Sequence, residues 1–254
     1  MVKGLDYFRE YFKGFEDRYI LIGGTACDVL MNEAGLEFRA TKDLDIVLCA
    51  EALDAEFVAR FWQFVREGEY EHKEKSTGDK QFYRFKNPSG PKFPEMLELF
   101  SRKPDELVFE GEGNLTPIPF DEDVSSLSAI LLNDAYYRCI ERGRLIINGV
   151  SVLGPEYILV FKARAWIDLS SRKAKGAQVD SKKIKKHRND VFRISALLAP
   201  SQRVELEAGI RKDMQHFVES MVNEPGLDIS NFGLTGSSLN EVLTSLRIIY
   251  QLEA

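Results

Sequence analysis

The chain has 254 residues, enough for one large domain or two small ones with a real core. Its 44% hydrophobic and 29% charged residues are those of a globular protein, and a net charge of −6 excludes a globally basic nucleic-acid binder while leaving room for a local basic patch. Cys27, Cys49 and Cys139 are widely spaced, odd in number and set among apolar neighbours, which argues against a disulfide framework or zinc site and for three small core residues.

No stretch offers eighteen uncharged apolar residues, and charges are spread through the first thirty. Neither a membrane span nor a secretory leader is expected, and the cytoplasm is the default location. Residues 5–16 place Leu5, Phe8, Tyr11, Phe12 and Phe15 at helical spacing. Tyr19 to Ile22 is a β-type run ended by Gly23-Gly24, after which Ala26, Val29 and Leu30 restore a helical pattern. A strand, a glycine turn and a helix is the arrangement in which backbone N–H groups at a helix start face outward and hold an anion. Asp43 to Leu48 is the next strand, and its period of two sends Asp43 and Asp45 to one face and Leu44, Ile46 and Leu48 to the other.

A helix over 51–67 follows, with Leu53, Phe57, Val58, Phe61, Trp62 and Val65 on one stripe. Residues 70–75 and 81–85 read as a strand pair, and 88–94 as a loop punctuated by proline and glycine. Met96 to Phe100 is an apolar strand pattern enclosing Glu98. Short strands are expected at 107–109, 115–118, 127–132, 144–147 and 150–153, the last two joined by the hairpin signal Asn148-Gly149. From Pro155, which suits the first turn of a helix, the pattern is helical: 157–169, 182–198, 202–222 and 239–252, with a charged loop over 170–181. The expected fold class is α+β, a mixed-sheet head with flanking helices over 1–154 followed by an all-helical C-terminal bundle over 155–254.

Two carboxylates two residues apart on one strand face, with a third on a neighbouring strand, suit metal-assisted phosphoryl or nucleotidyl transfer. Carboxylate oxygens are hard ligands for Mg²⁺, and two ions about 3.5–4 Å apart stabilise both attacking and leaving oxygens. The order Gly23-Gly24-Thr25, then Asp43-Leu44-Asp45, then Glu98 resembles the polymerase-β-type nucleotidyltransferase superfamily. Within it, Gly-Gly-Thr-Ala with Arg39-x-Thr41-x-Asp43-Leu44-Asp45 is most similar to the AbiEii-like toxin branch. So is Lys162-x-Arg164-Ala165-Trp166, followed by the run from Lys186 to Arg193.

The resemblance implies an enzyme that moves an NMP from an NTP to an acceptor hydroxyl, RNA or tRNA in such toxins, with an antitoxin protein as partner. It implies Asp43, Asp45 and Glu98 as catalytic metal ligands for a two-metal Mg²⁺ site. It also implies Gly23, Gly24, Thr25, Lys162, Lys186 and Asp190 as substrate-binding residues. Two departures from the family pattern stand out: the interval from Gly24 to Asp43 is several residues longer than is common, with the excess around 33–39, and the third acid is Glu where many relatives carry Asp. These departures leave open a catalytically inert binding module of the same fold, and a small-molecule nucleotidyltransferase of the aminoglycoside-modifying kind is a further alternative.

Each feature also has a plainer reading. A glycine pair after a strand is an ordinary turn, and strand-end aspartates often cap or meet solvent. Lys186 and Asp190 are spaced for a surface i,i+4 ion pair worth a few tenths of a kcal/mol. The basic run from Arg172 to Arg193 is a solvated helix face or, beside a transfer site, a track for nucleic-acid phosphates. His72 and His216 have no partner at useful spacing, and His187 belongs to the basic run.

Overall fold

The computed structural model describes residues 2–49, 54–71, 82–100, 130–131, 133–222, 224 and 227–253. Two units are formed, one within 1–124 and 140–154, the other within 125–139 and 155–254. The first is built on a six-stranded mixed sheet in the order β3-β4-β2-β1-β6-β5. Its strands are β1 (Tyr19–Ile22), β2 (Asp43–Leu48), β3 (Phe82–Lys86), β4 (Met96–Phe100), β5 (Arg144–Ile147) and β6 (Val150–Leu153). β1 is antiparallel to β2 and parallel to β6, β2 is parallel to β4, and β3 and β5 run antiparallel to β4 and β6.

The register sorts side chains by face. Leu21 lies opposite Ile46, Leu44 opposite Leu97, and Leu97 opposite Phe85, so one face is apolar across four strands. Helices α1 (Leu5–Tyr11) and α3 (Ala55–Glu67) supply the rings that cover it. Phe8 meets Tyr19 edge-on at 5.2 Å and Phe64 at 5.8 Å, and Phe61 reaches Phe85 at 6.1 Å. Each such ring stabilises the fold by about 1.5–3 kcal/mol over leaving it exposed. α1 stops short of the expected residue 16, and Gly14 then takes a left-handed φ of +90°. α3 starts at Ala55 because the Asp54 carboxylate accepts the Phe57 N–H at 2.8 Å; residues 50–53 lie outside the described part.

Between β1 and β2 runs α2 (Gly23–Glu33), packed against both strands. It ends in a Schellman motif: Gly35, at φ +72°, donates to the Asn32 carbonyl, and the Leu36 N–H to that of Met31. The additional residues before Asp43 therefore do not lengthen the helix; they form a non-helical connection over 34–42. β5 and β6 are joined at Asn148-Gly149, both with positive φ (49° and 76°), the primed turn expected of that dipeptide.

The second unit is helical. α4 (Asp134–Arg142) enters it through residues 134–139, followed by α5 (Pro155–Ala174), α6 (Ser181–Ser195), α7 (Ala208–Met221), a 3₁₀ turn (Ile229–Phe232) and α8 (Leu239–Ile249). Trp166 packs perpendicular to Phe217 at 5.4 Å, and Phe192 lies 6.3 Å from Phe217 and 6.0 Å from Phe232. α4 falls between the strands expected at 127–132 and 144–147, where no helix was expected. The Asn133 side chain accepts the Ala135 and Tyr136 N–H groups, and Tyr136, Tyr137 and Ile140 then bury one helical stripe. The expected strands at 107–109 and 115–118 lie outside the described residues; of 127–132, Ile130 and Leu131 are described and are helical.

The architecture is thus the expected α+β one, a mixed sheet with flanking helices followed by helices. Among the described residues no helix is long and apolar enough to cross a membrane. All three cysteines are buried and free of disulfides.

Candidate active site on the acidic face of the sheet

β2 alternates half-buried Asp43 and Asp45 with fully buried Leu44 and Ile46, so the two acids share the face opposite the aromatic core. The start of α2 closes on them. Gly23 adopts φ +65°, and a Cβ there would fall 1.8 Å from Oδ2 of Asp45. Both the conformation and the space exclude a side chain, so the backbone itself meets the carboxylate. A Cβ on Gly24 would stand 2.6 Å from the Thr41 hydroxyl, so the connection over 34–42 delivers Thr41 against the second glycine. Thr25, fully buried, donates its hydroxyl to the Asp43 carbonyl at 2.5 Å and ties helix start to strand start.

No side chain caps α2, and its first turn carries no acid, whereas Asp54, Asp180 and Ser238 cap α3, α6 and α8. The positive end of its dipole favours an anion, and the Asp45 carboxylate stands against it at Gly23. Gly23, Gly24, Thr25, Asp43 and Asp45 are therefore brought together.

Glu98 lies opposite Asp45 in the β2–β4 register and opposite Arg84 in the β3–β4 register, which forms a row across three strands. Its carboxylate is held by Arg84: Nε–H donates to Oε1 at 2.6 Å, and Nη2 lies 2.5 Å from the same oxygen. Among the described residues no three His, Cys, Asp or Glu side chains stand together as metal ligands. The donor set fits one hard cation shared by Asp43 and Asp45 with substrate oxygens, the partial shell Mg²⁺ accepts. One oxygen of Glu98, the third acid of the expected three-carboxylate, two-ion cage, is taken by a guanidinium.

Arg84 is the residue that reading the sequence missed. The available signal was a lone arginine in the strand Phe82–Lys86, on the side opposite Phe85. Thr41, part of the Arg39-x-Thr41-x-Asp43 motif, stands against Gly24.

Lys162, Lys186 and Asp190 belong to the helical unit. Asp190 has tertiary as well as local neighbours: Lys162 Nζ lies 3.0 Å from Asp190 Oδ2, with 8% and 0% of the side chains exposed, and Arg193 approaches Oδ1 at 3.5 Å. Lys186 is on the exposed side of α6. The basic run is also thinner than its sequence implies. Arg188 is buried against Glu224 at 2.6 Å, Arg172 lies 3.8 Å from Asp168, and Arg193 stacks on Phe232. Lys182, Lys185 and Lys186 keep exposed positions.

No protein-family model matches the chain, and no curated protein matches it. Among solved structures it is similar to the crystal structure of an antigenic nucleotidyltransferase-like protein from Paracoccidioides brasiliensis, with 17% identity over 91% of this chain and 85% of that chain and a TM-score of 0.44. A likeness of that degree assigns no role to any residue.

Proposed function

We propose that the chain transfers a nucleoside monophosphate from an NTP to an acceptor hydroxyl. The observation that carries this reading is the contact of the Gly23 backbone with the Asp45 carboxylate, which sets an uncapped helix start beside two acids on one strand face. Phosphates and a divalent cation are the pair of ligands that such a juxtaposition suits. The N–H groups of Gly23, Gly24 and Thr25 bind the phosphates, while Asp43 and Asp45 hold Mg²⁺, whose charge, when it is bound, offsets that of the leaving pyrophosphate and favours ionisation of the acceptor hydroxyl. Thr25, through its bond to the Asp43 carbonyl, keeps the two halves in register.

The acceptor we assign is RNA, on the strength of Lys182, Lys185 and Lys186 exposed along α6, a spacing suited to phosphate contacts. Lys186 serves as a phosphate contact, and Lys162 and Asp190 fix α5 on α6. The partner implied by the AbiEii-like resemblance is an antitoxin protein. Incubating the full chain with each labelled NTP, Mg²⁺ and total RNA tests the reading. Label should enter RNA with the wild type and not with Asp45→Asn, and absence of label from RNA with every NTP would remove RNA as the acceptor.

A further inference from the structure

Arg84 is a charged side chain of the acidic face to which the transfer reading gives no part. Two of its nitrogens converge on a single oxygen of Glu98, and the pair is only 17% and 13% exposed. Charge-assisted bonds of this kind are strong in a poorly solvated setting, and removing either member leaves the other charge uncompensated. Along the row the order is Asp45, Glu98, Arg84. A cation shared by Asp45 and Glu98 would have to compete with a guanidinium that is always charged and lies close at two points.

A guanidinium is planar, carries five donors and matches the oxygens of phosphate. Held on the face that also presents Asp43, Asp45 and the start of α2, it is a fixed positive charge at the rim of the proposed nucleotide site. We propose that Glu98 is a positioning residue, whose task is to orient Arg84, and that Arg84 binds a phosphate of the nucleotide. The proposal rests on the nucleotide-transfer reading of this face. The metal is then held by two carboxylates alone, and the third acid acts through the arginine.

Two titrations on the full chain test this: Mn²⁺ alone, followed by electron paramagnetic resonance, and a non-hydrolysable NTP analogue in the presence of Mn²⁺, followed by calorimetry. Asp45→Asn should lower Mn²⁺ affinity by about 10-fold or more, as loss of a charged ligand does, whereas Glu98→Gln should leave it within about 3-fold. Arg84→Ala should weaken the analogue by about 10- to 100-fold, the range for a charge-assisted bond to phosphate. Glu98→Gln should weaken the analogue too, and that effect should vanish in the Arg84→Ala background, since a residue acting only through Arg84 has nothing left to position. If a melting curve shows that either variant has lost its fold, Arg84→Lys and Glu98→Asp take their place, with the same expectation of intact Mn²⁺ binding and weaker analogue binding.

The proposal is overturned if Glu98→Gln lowers Mn²⁺ affinity as far as Asp45→Asn, or acts on the analogue equally with and without Arg84. A wild-type chain that binds neither Mn²⁺ nor analogue ends the transfer reading itself. That outcome is distinguishable because the Asp45→Asn control then changes nothing.

Discussion

Replacing Lys162 by Met would leave the Asp190 carboxylate, which has no exposed side-chain surface, facing Arg193 at 3.5 Å in place of an ammonium at 3.0 Å. Breaking one side of a buried ion pair costs about 3–5 kcal/mol. With Arg193 still in reach, the low end applies, about 3 kcal/mol. Near 4–8 °C per kcal/mol for a unit of roughly 100 residues, the helical unit should melt roughly 12–24 °C lower. The assay is thermal and urea unfolding of the full chain followed by far-ultraviolet circular dichroism. Lys162→Met with Asp190→Leu should regain most of the loss, because an apolar pair of similar volume leaves no charge to desolvate. A loss below about 1 kcal/mol for Lys162→Met, the scale of an exposed pair, would mean that Lys162 and Asp190 do not act as a buried pair. So would a variant that melts normally yet no longer binds nucleotide, which would make Lys162 a phosphate contact and not a clamp between α5 and α6.

Gly23→Ala places a methyl 1.8 Å from Asp45 Oδ2 at φ +65°; displacing the carboxylate by an ångström should lower label transfer about 100-fold, measured beside a melt that registers a smaller change in stability. Phe64→Ala empties a fully buried ring site in the aromatic core and should cost about 3–5 kcal/mol of stability by urea unfolding. Burial pushes the Glu156 carboxyl above its ordinary range. For an acid with a raised folded value, the native state carries the proton to higher pH than the unfolded chain does. Stability is therefore lost as pH rises from the ordinary carboxylate value through the raised one. Glu156→Gln should accordingly stabilise the chain in urea at pH 7, and the gain should disappear below about pH 4, where both states are protonated.

The glycine turn and the Asp-Leu-Asp strand were legible because both are local. A glycine pair marks where β1 ends, and strict alternation assigns Asp43 and Asp45 to one face without knowledge of the partner strands. The Arg84–Glu98 bond was not legible, since it depends on the register of β3 against β4, set by the whole sheet. Asp190 shows the same limit from another side. Its helical spacing from Lys186 is a real local feature, but a partner on α5 lies within 3.0 Å, and a buried tertiary pair outweighs an exposed i,i+4 contact worth a few tenths of a kcal/mol. α4 falls between the strands expected at 127–132 and 144–147; the Asn133 cap and the stripe of Tyr136, Tyr137 and Ile140 that define it become clear only with the fold around them. The lengthened connection before Asp43 was noticed as an excess of residues, but only the structure places Thr41 against Gly24.

Asp43 and Asp45, with the start of α2, are proposed to hold a metal-bound nucleoside triphosphate, and calorimetric titration of the wild-type chain and of Asp43→Asn/Asp45→Asn with Mg²⁺ and each NTP is the decisive measurement. The wild type should bind at least one NTP in a Mg²⁺-dependent manner, and the doubly substituted chain should lose that dependence with its melting curve intact. Nucleotide binding by the wild type that ignores Mg²⁺, or undiminished Mg²⁺-dependent binding by the doubly substituted chain, would contradict that assignment.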